Sequence, residues 1–95
     1  MIKSFKSRAL RRFWTKADAS QIRPDMVERV RIILSALDAA TTLDDIAARP
    51  SFGLHPLKGQ KRGTYSVWVN KNWRITFGWE DDGPSAVSVD LLDYH

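Results

Sequence analysis

The stretch Thr64-Tyr65-Ser66-Val67-Trp68-Val69-Asn70-Lys71-Asn72-Trp73-Arg74-Ile75-Thr76-Phe77-Gly78-Trp79 alternates in character at nearly every step. Tyr65, Val67 and Val69 fall on one face, and Ser66 and Trp68 on the other, which is the two-residue period of a half-buried strand. Asn70-Lys71-Asn72 supplies turn residues. Beyond it Trp73, Ile75, Phe77 and Trp79 alternate with Arg74 and Thr76. The reading is a β-hairpin. Arg74 and Thr76 are expected to point away from the side that carries Ile75 and Phe77, onto an open surface.

Downstream, Glu80-Asp81-Asp82-Gly83-Pro84 marks another turn, and Val87, Val89 and Leu91 alternate with Ser88, Asp90 and Leu92 up to the terminal Asp93-Tyr94-His95. That predicts a third strand. Upstream of the hairpin, Pro50, Gly53 and Pro56 predict irregular chain. Before them Thr41 or Thr42 is placed to cap one helical turn ending at Ala47. A longer helix is expected over Pro24 to Ala39, where Val27, Val30, Ile33, Leu34 and Leu37 recur at three-to-four spacing and Asp25-x-x-Glu28 resembles a capping box. Another helix is read from about Ser7 to Trp14, with Leu10, Phe13 and Trp14 inward, after a short strand over residues 1–5. Helices that precede a run of strands indicate an α+β domain, with the helices packed on one face of a mostly antiparallel sheet and polar residues left on the other.

Ninety-five residues, 43% of them hydrophobic, hold one core, so residues 1–95 are read as a single domain. With no cysteine there is neither a disulfide nor a thiolate-bound zinc to stabilise it. No secretory signal and no apolar run near the ~20 residues that span a bilayer is seen, so a cytoplasmic protein without membrane partners is expected. Fifteen Lys and Arg against eleven Asp and Glu leave a net charge of +4, and the excess is concentrated. Lys3, Lys6, Arg8, Arg11, Arg12 and Lys16 lie in residues 1–17 without an acid. Lys58, Lys61, Arg62, Lys71 and Arg74 do the same in residues 58–74. Either field attracts a polyanion.

The two histidines, His55 and His95, both flank the sheet region rather than an apolar helix stripe. An imidazole there serves as proton donor or acceptor around neutrality. Taken singly, His55 is as readily a loop residue, His95 a solvated chain end, and Lys58 and Arg74 solvated charges. Trp14, Trp73 and Trp79 read as core. Trp68 and Tyr94 are aromatics on the polar side, where a nucleobase can stack.

Read together, Met1-Ile2-Lys3-Ser4-Phe5, Leu37-Asp38-Ala39-Ala40-Thr41, Leu54-His55-Pro56-Leu57-Lys58-Gly59, Ser66 through Phe77, and Asp93-Tyr94-His95 resemble the HigB branch of the RelE/ParE toxin superfamily, in order and over nearly the whole chain. The resemblance implies a RelE-like microbial ribonuclease fold and the toxin of a type II toxin-antitoxin system, a ribosome-dependent endoribonuclease that cuts translated mRNA. It implies as partners the 70S ribosome with its mRNA and a HigA-like helix-turn-helix antitoxin, through which operator DNA is contacted indirectly. By motif, His55, Lys58, Arg74, Asp93, Tyr94 and His95 fall on the family's active-site positions. Lys61 and Arg62 are added as RNA contacts on charge, and Asn72 as an RNA contact beside Arg74. Trp68 departs from the family, in which that position is usually polar or basic.

Cleaving RNA through its own 2′-hydroxyl needs a base for that hydroxyl, cations for the pentavalent phosphate and an acid for the departing 5′-oxygen. His, Lys and Arg supply all three, so neither metal nor cofactor is expected. Two other readings stand beside this one: a non-enzymatic, ParE-like inhibitor of DNA gyrase, which needs neither the two histidines nor the Asp-Tyr-His end, and a structural nucleic-acid-binding domain resting on the basic segments alone.

Overall fold

The computed structural model describes residues 1–59 and 63–94. Lys61, Arg62 and His95, read above as site residues, lie outside the described residues. Three α-helices, α1 (Arg8–Lys16), α2 (Val27–Ala39) and α3 (Leu43–Ala47), come before four strands, β1 (His55–Pro56), β2 (Thr64–Trp68), β3 (Trp73–Glu80) and β4 (Ser85–Asp93). The strands form one antiparallel sheet in sequence order, the expected α+β meander.

Capping chemistry sets the helix ends. The Ser7 side chain accepts from the Leu10 amide at 3.1 Å to start α1, and Ala17 ends it in the left-handed region at φ 54°. Thr42 and Asp45 form a reciprocal capping box on α3. The box expected from Asp25 and Glu28 does not form. Pro24 instead opens a 3₁₀ turn over Pro24–Met26, no side chain caps α2, and the Asp25 carboxylate accepts from Arg23 Nε at 3.3 Å. A proline-led 3₁₀ turn already presents the helix start, so the carboxylate is left to the surface.

The apolar stripe of α2 and the inward residues of the strands meet in one core. Leu10, Ile33, Leu34, Leu37, Ile75 and Phe77 are completely buried there. At roughly 1.5–3 kcal/mol per fully buried aliphatic or aromatic side chain, this layer is the main stabilising element of the domain. Trp14, Trp73 and Trp79 pack against it while remaining partly exposed.

Two expectations about strands change. Pro56 belongs to the short edge strand β1, which pairs His55 with Ser66 and Pro56 with Tyr65. An edge position leaves the missing proline N–H without consequence. Residues 1–5 make no full strand: Ile2 and Phe5 form isolated parallel bridges to Ala86 and Val89, and the Lys3 and Lys6 amides donate to the Ala86 and Val89 carbonyls at 2.8 and 2.9 Å. The N-terminal segment thus covers the free edge of β4.

The alternation read for β4 is broken by a bulge. Thr76 pairs with Asp90 but Gly78 with Val87, so Ser88 and Val89 together oppose Phe77, with Ser88 at φ 52°. Val89 and Ala86 are fully buried, while Val87, expected inward beside Val89, is turned to the open face. Gly78 makes room for it, since a Cβ there would stand 2.9 Å from Val87 Cγ2.

Candidate active site

Strand register assembles the open face. His55 pairs with Ser66, Ser66 with Thr76 and Thr76 with Asp90, so one residue from each of the four strands forms a polar row across the sheet. Ser66 and Thr76 are only 4% and 6% exposed, and His55 stands at the exposed end of the row. Thr76 and Asp90, with Lys6, Leu57, Val87 and Leu92, line a groove of about 310 Å³.

One pleat repeat along, Trp68 pairs with Arg74 and Arg74 with Leu92 on the same face. From the spacing of strands and residues, Arg74 is about 12 Å from His55 between backbone positions. Its Nη1 donates to the carbonyls of Asn70 at 2.7 Å, Trp73 at 3.1 Å and Lys71 at 3.3 Å, while Nη2 and Nε donate to no described residue. Those carbonyls are presented by a turn in which Asn70 Oδ1 accepts the amides of Asn72 and Trp73 at 2.9 and 3.0 Å. The guanidinium carbon lies 5.4 Å from the ring centroids of both Trp68 and Tyr94. Tyr94 is held by its amide, which donates to the Asn72 carbonyl at 2.6 Å.

The expected site residues therefore separate. His55, Arg74 and Tyr94 belong to the open face, and Lys58 is exposed just past β1. Asn72 serves the turn through its backbone. Asp93 ends β4, exposed, and pairs with Trp73, which packs against the core. Alternation had placed Ser66 and Thr76 on the polar side of the hairpin; the register that sets them and Asp90 in one row with His55 was not read from the sequence.

Of the six bases in residues 1–17, Lys3 pairs with Glu80 and Arg12 with Asp18, each at 3.0 Å. Lys6, Arg8, Arg11 and Lys16 have no carboxylate partner among the described residues. Ser20, through its hydroxyl and its amide, and then Arg12 lower Asp18 from 3.8 to about 2. Among the described residues no three His, Asp or Glu side chains gather as metal ligands, and no helix is long and apolar enough to cross a membrane.

Comparison with known proteins gives the family and the fold. Residues 3–95 match the family of RelE-like toxins of type II toxin-antitoxin systems, HigB. The chain is 38% identical over 95 residues to endoribonuclease HigB of Proteus vulgaris, covering all of both chains. It is 30% identical over 82 residues to toxin HigB-1 of Vibrio cholerae, covering 85% of this chain and 86% of that one. Among solved structures, the YoeB-YefM complex of Staphylococcus aureus shares the fold at a TM-score of 0.58 and 20% identity, covering 100% of this chain and 98% of that one. YafQ from E. coli does so at 0.57 and 12% identity, with 94% and 91% covered. The fold is thus that of the RelE-like toxins, and the chain belongs to their HigB-like family, as the toxin of a type II system with an antitoxin for partner.

Proposed function

We propose that this toxin is an mRNA endoribonuclease acting on translated messages in the decoding site of the ribosome. The observation that carries the reading is the 38% identity over the full length to a protein named endoribonuclease HigB. The open face adds groups suited to the chemistry. A base takes the proton of the 2′-hydroxyl, the 2′-oxygen attacks the phosphorus, and an acid protonates the departing 5′-oxygen, leaving a 2′,3′-cyclic phosphate and a 5′-hydroxyl. His55 and His95 are the proton-transfer candidates, and His95 is the simpler choice for one of the two transfers. Lys58 and Arg74 offset the charge that grows on the phosphate oxygens, Arg74 through donors that no described residue occupies. Tyr94 stacks on the RNA, Asp93 orients a partner, and Asn72, Lys61 and Arg62 extend the RNA contact. No metal or cofactor is required by this scheme.

The protein then works in the cytoplasm, where ribosomes are, and its antitoxin is a small helix-turn-helix protein of the HigA type that also contacts operator DNA. Lys6, Arg8, Arg11 and Lys16 provide a cationic surface for ribosome or antitoxin. A gyrase-binding role of the ParE kind is not favoured, because both curated relatives carry HigB names.

The test is pulse induction without antitoxin, followed by mapping of new RNA 5′ ends for the wild type and for His95→Ala. Cleavage within translated codons, lost in the variant, is the expected result. Intact messages with arrested DNA replication would sink the ribonuclease reading. Loss of antitoxin binding in His95→Ala would show that the residue is not purely catalytic.

A further inference from the structure

Trp68 is 53% exposed, although residues of its size usually bury most of their surface. The indole is not loose. A Cβ at Gly53 would stand 3.2 Å from its Cδ2 and Cε2, so the ring rests on glycine backbone that adopts φ +56°. The Trp68 carbonyl accepts from Arg29 Nε at 3.2 Å and Nη2 at 2.9 Å, and Arg29 Nη2 also donates to the Ser51 carbonyl at 2.7 Å. The Arg29 guanidinium in turn stacks on Phe52, 5.0 Å from its centroid. An exposed aromatic ring is thereby fixed in place before any ligand arrives.

Its surroundings are cationic. Trp68 borders an open groove of about 440 Å³ whose lining includes Arg29, Lys71 and Arg74 and no carboxylate. An apolar peptide seated there would cover three positive charges and bring no anion to offset them. A nucleotide matches both features, with a base for the part of the indole left exposed beside Gly53 and Arg74, whose guanidinium carbon is 5.4 Å from a Trp68 ring centroid, and a phosphate for the cations. We propose that Trp68 is a stacking platform for a nucleobase of single-stranded RNA, a subsite beside the phosphate position of Arg74. This rests on the endoribonuclease reading and adds to it a place for a base flanking the cleaved bond.

The experiment compares wild type with Trp68→Ala, Trp68→Phe and Trp68→Leu in two measurements. One is binding of a short 2′-O-methyl RNA, which cannot be cut, and of the same strand made abasic one nucleotide at a time. The other is cleavage of a translated message on purified ribosomes. Stacking predicts roughly tenfold weaker binding or higher KM for Ala and Leu, with Phe restoring the wild-type value. It also predicts that one abasic position weakens the wild type but not Trp68→Ala. Equal KM for wild type and Trp68→Ala, or Leu performing as well as Phe, would overturn the platform while leaving the ribonuclease intact. Trp68→Ala failing to bind antitoxin with unchanged KM would overturn it in favour of a protein contact. If the wild type cleaves no message, the endoribonuclease reading fails, and the platform proposed on it falls with it.

Discussion

Arg74 stands with its guanidinium carbon 5.4 Å from the centroid of the Tyr94 ring, joining the turn at one end of β3 to the segment that follows β4. Both groups are candidates for RNA contact, and the arginine fixes the ring's position as well as supplying charge. Arg74→Ala is expected to slow cleavage of translated mRNA by about 10²–10³-fold, the usual cost of removing a transition-state donor. Arg74→Lys should recover little, because an ammonium neither stacks between two rings nor holds the same fork of donors. Single-turnover rates on ribosomes check both.

His55 lies at the exposed end of the polar row, where its replacement leaves no cavity. His55→Ala is expected to lower the cleavage rate by about 10²–10⁴-fold, as for a general acid or base. Its melting temperature should stay within a few degrees of the wild type. A fall in rate matched by a large fall in melting temperature would mark the residue as structural.

Gly78 and Val87 are a matched pair across the β3–β4 bulge. Gly78→Ala places a methyl group 2.9 Å from Val87 Cγ2, which is expected to cost about 1–3 kcal/mol through overpacking. The double variant Gly78→Ala, Val87→Ala should regain much of that loss. Urea titrations of the four proteins give the coupling energy; additive losses would contradict the proposed clash.

Leu34 is completely buried between α2 and the sheet. Leu34→Ala should destabilise the fold by about 2–5 kcal/mol, from lost burial and the cavity left behind. That is a large share of the stability of a 95-residue domain, so thermal unfolding should begin well below the wild-type transition.

Asp18 carries the acid dependence of the α1 terminus. Its carboxyl is held at about 2, below the ordinary 3.8, first by Ser20 and then by Arg12. A folded-state value below the unfolded one contributes stability that is present above pH 4 and is lost as pH falls toward 2. Asp18→Asn should therefore be less stable than wild type at pH 5, with the difference shrinking between pH 4 and pH 2. Urea midpoints at several pH values read the slope, and a gap that widened on acidification would contradict the assignment. The carboxylate is partly exposed, so salt should reduce the effect.

Local chemistry was sufficient for much of this protein. The two-residue alternation from Thr64 to Trp79 specified the hairpin and turned Arg74 to the open face, because side-chain direction in a strand is a local property. The stripe of α2 was equally legible, the cap of α3 was narrowed to Thr41 or Thr42, and the linear motifs carried the family. Tertiary structure alone decided what depends on pairing between distant segments. The bulge opposite Phe77 moved Val87 outward, register set Asp90 in the row with His55, and Gly53 propped the Trp68 ring. A one-residue change in register reverses every side chain beyond it, and no local pattern in β4 records where that change occurs. The sequence by itself thus determined the main helices, the three longer strands, the family and the kind of chemistry, while packing between segments decided the edge strand, the N-terminal bridges and which of the candidate residues share a face.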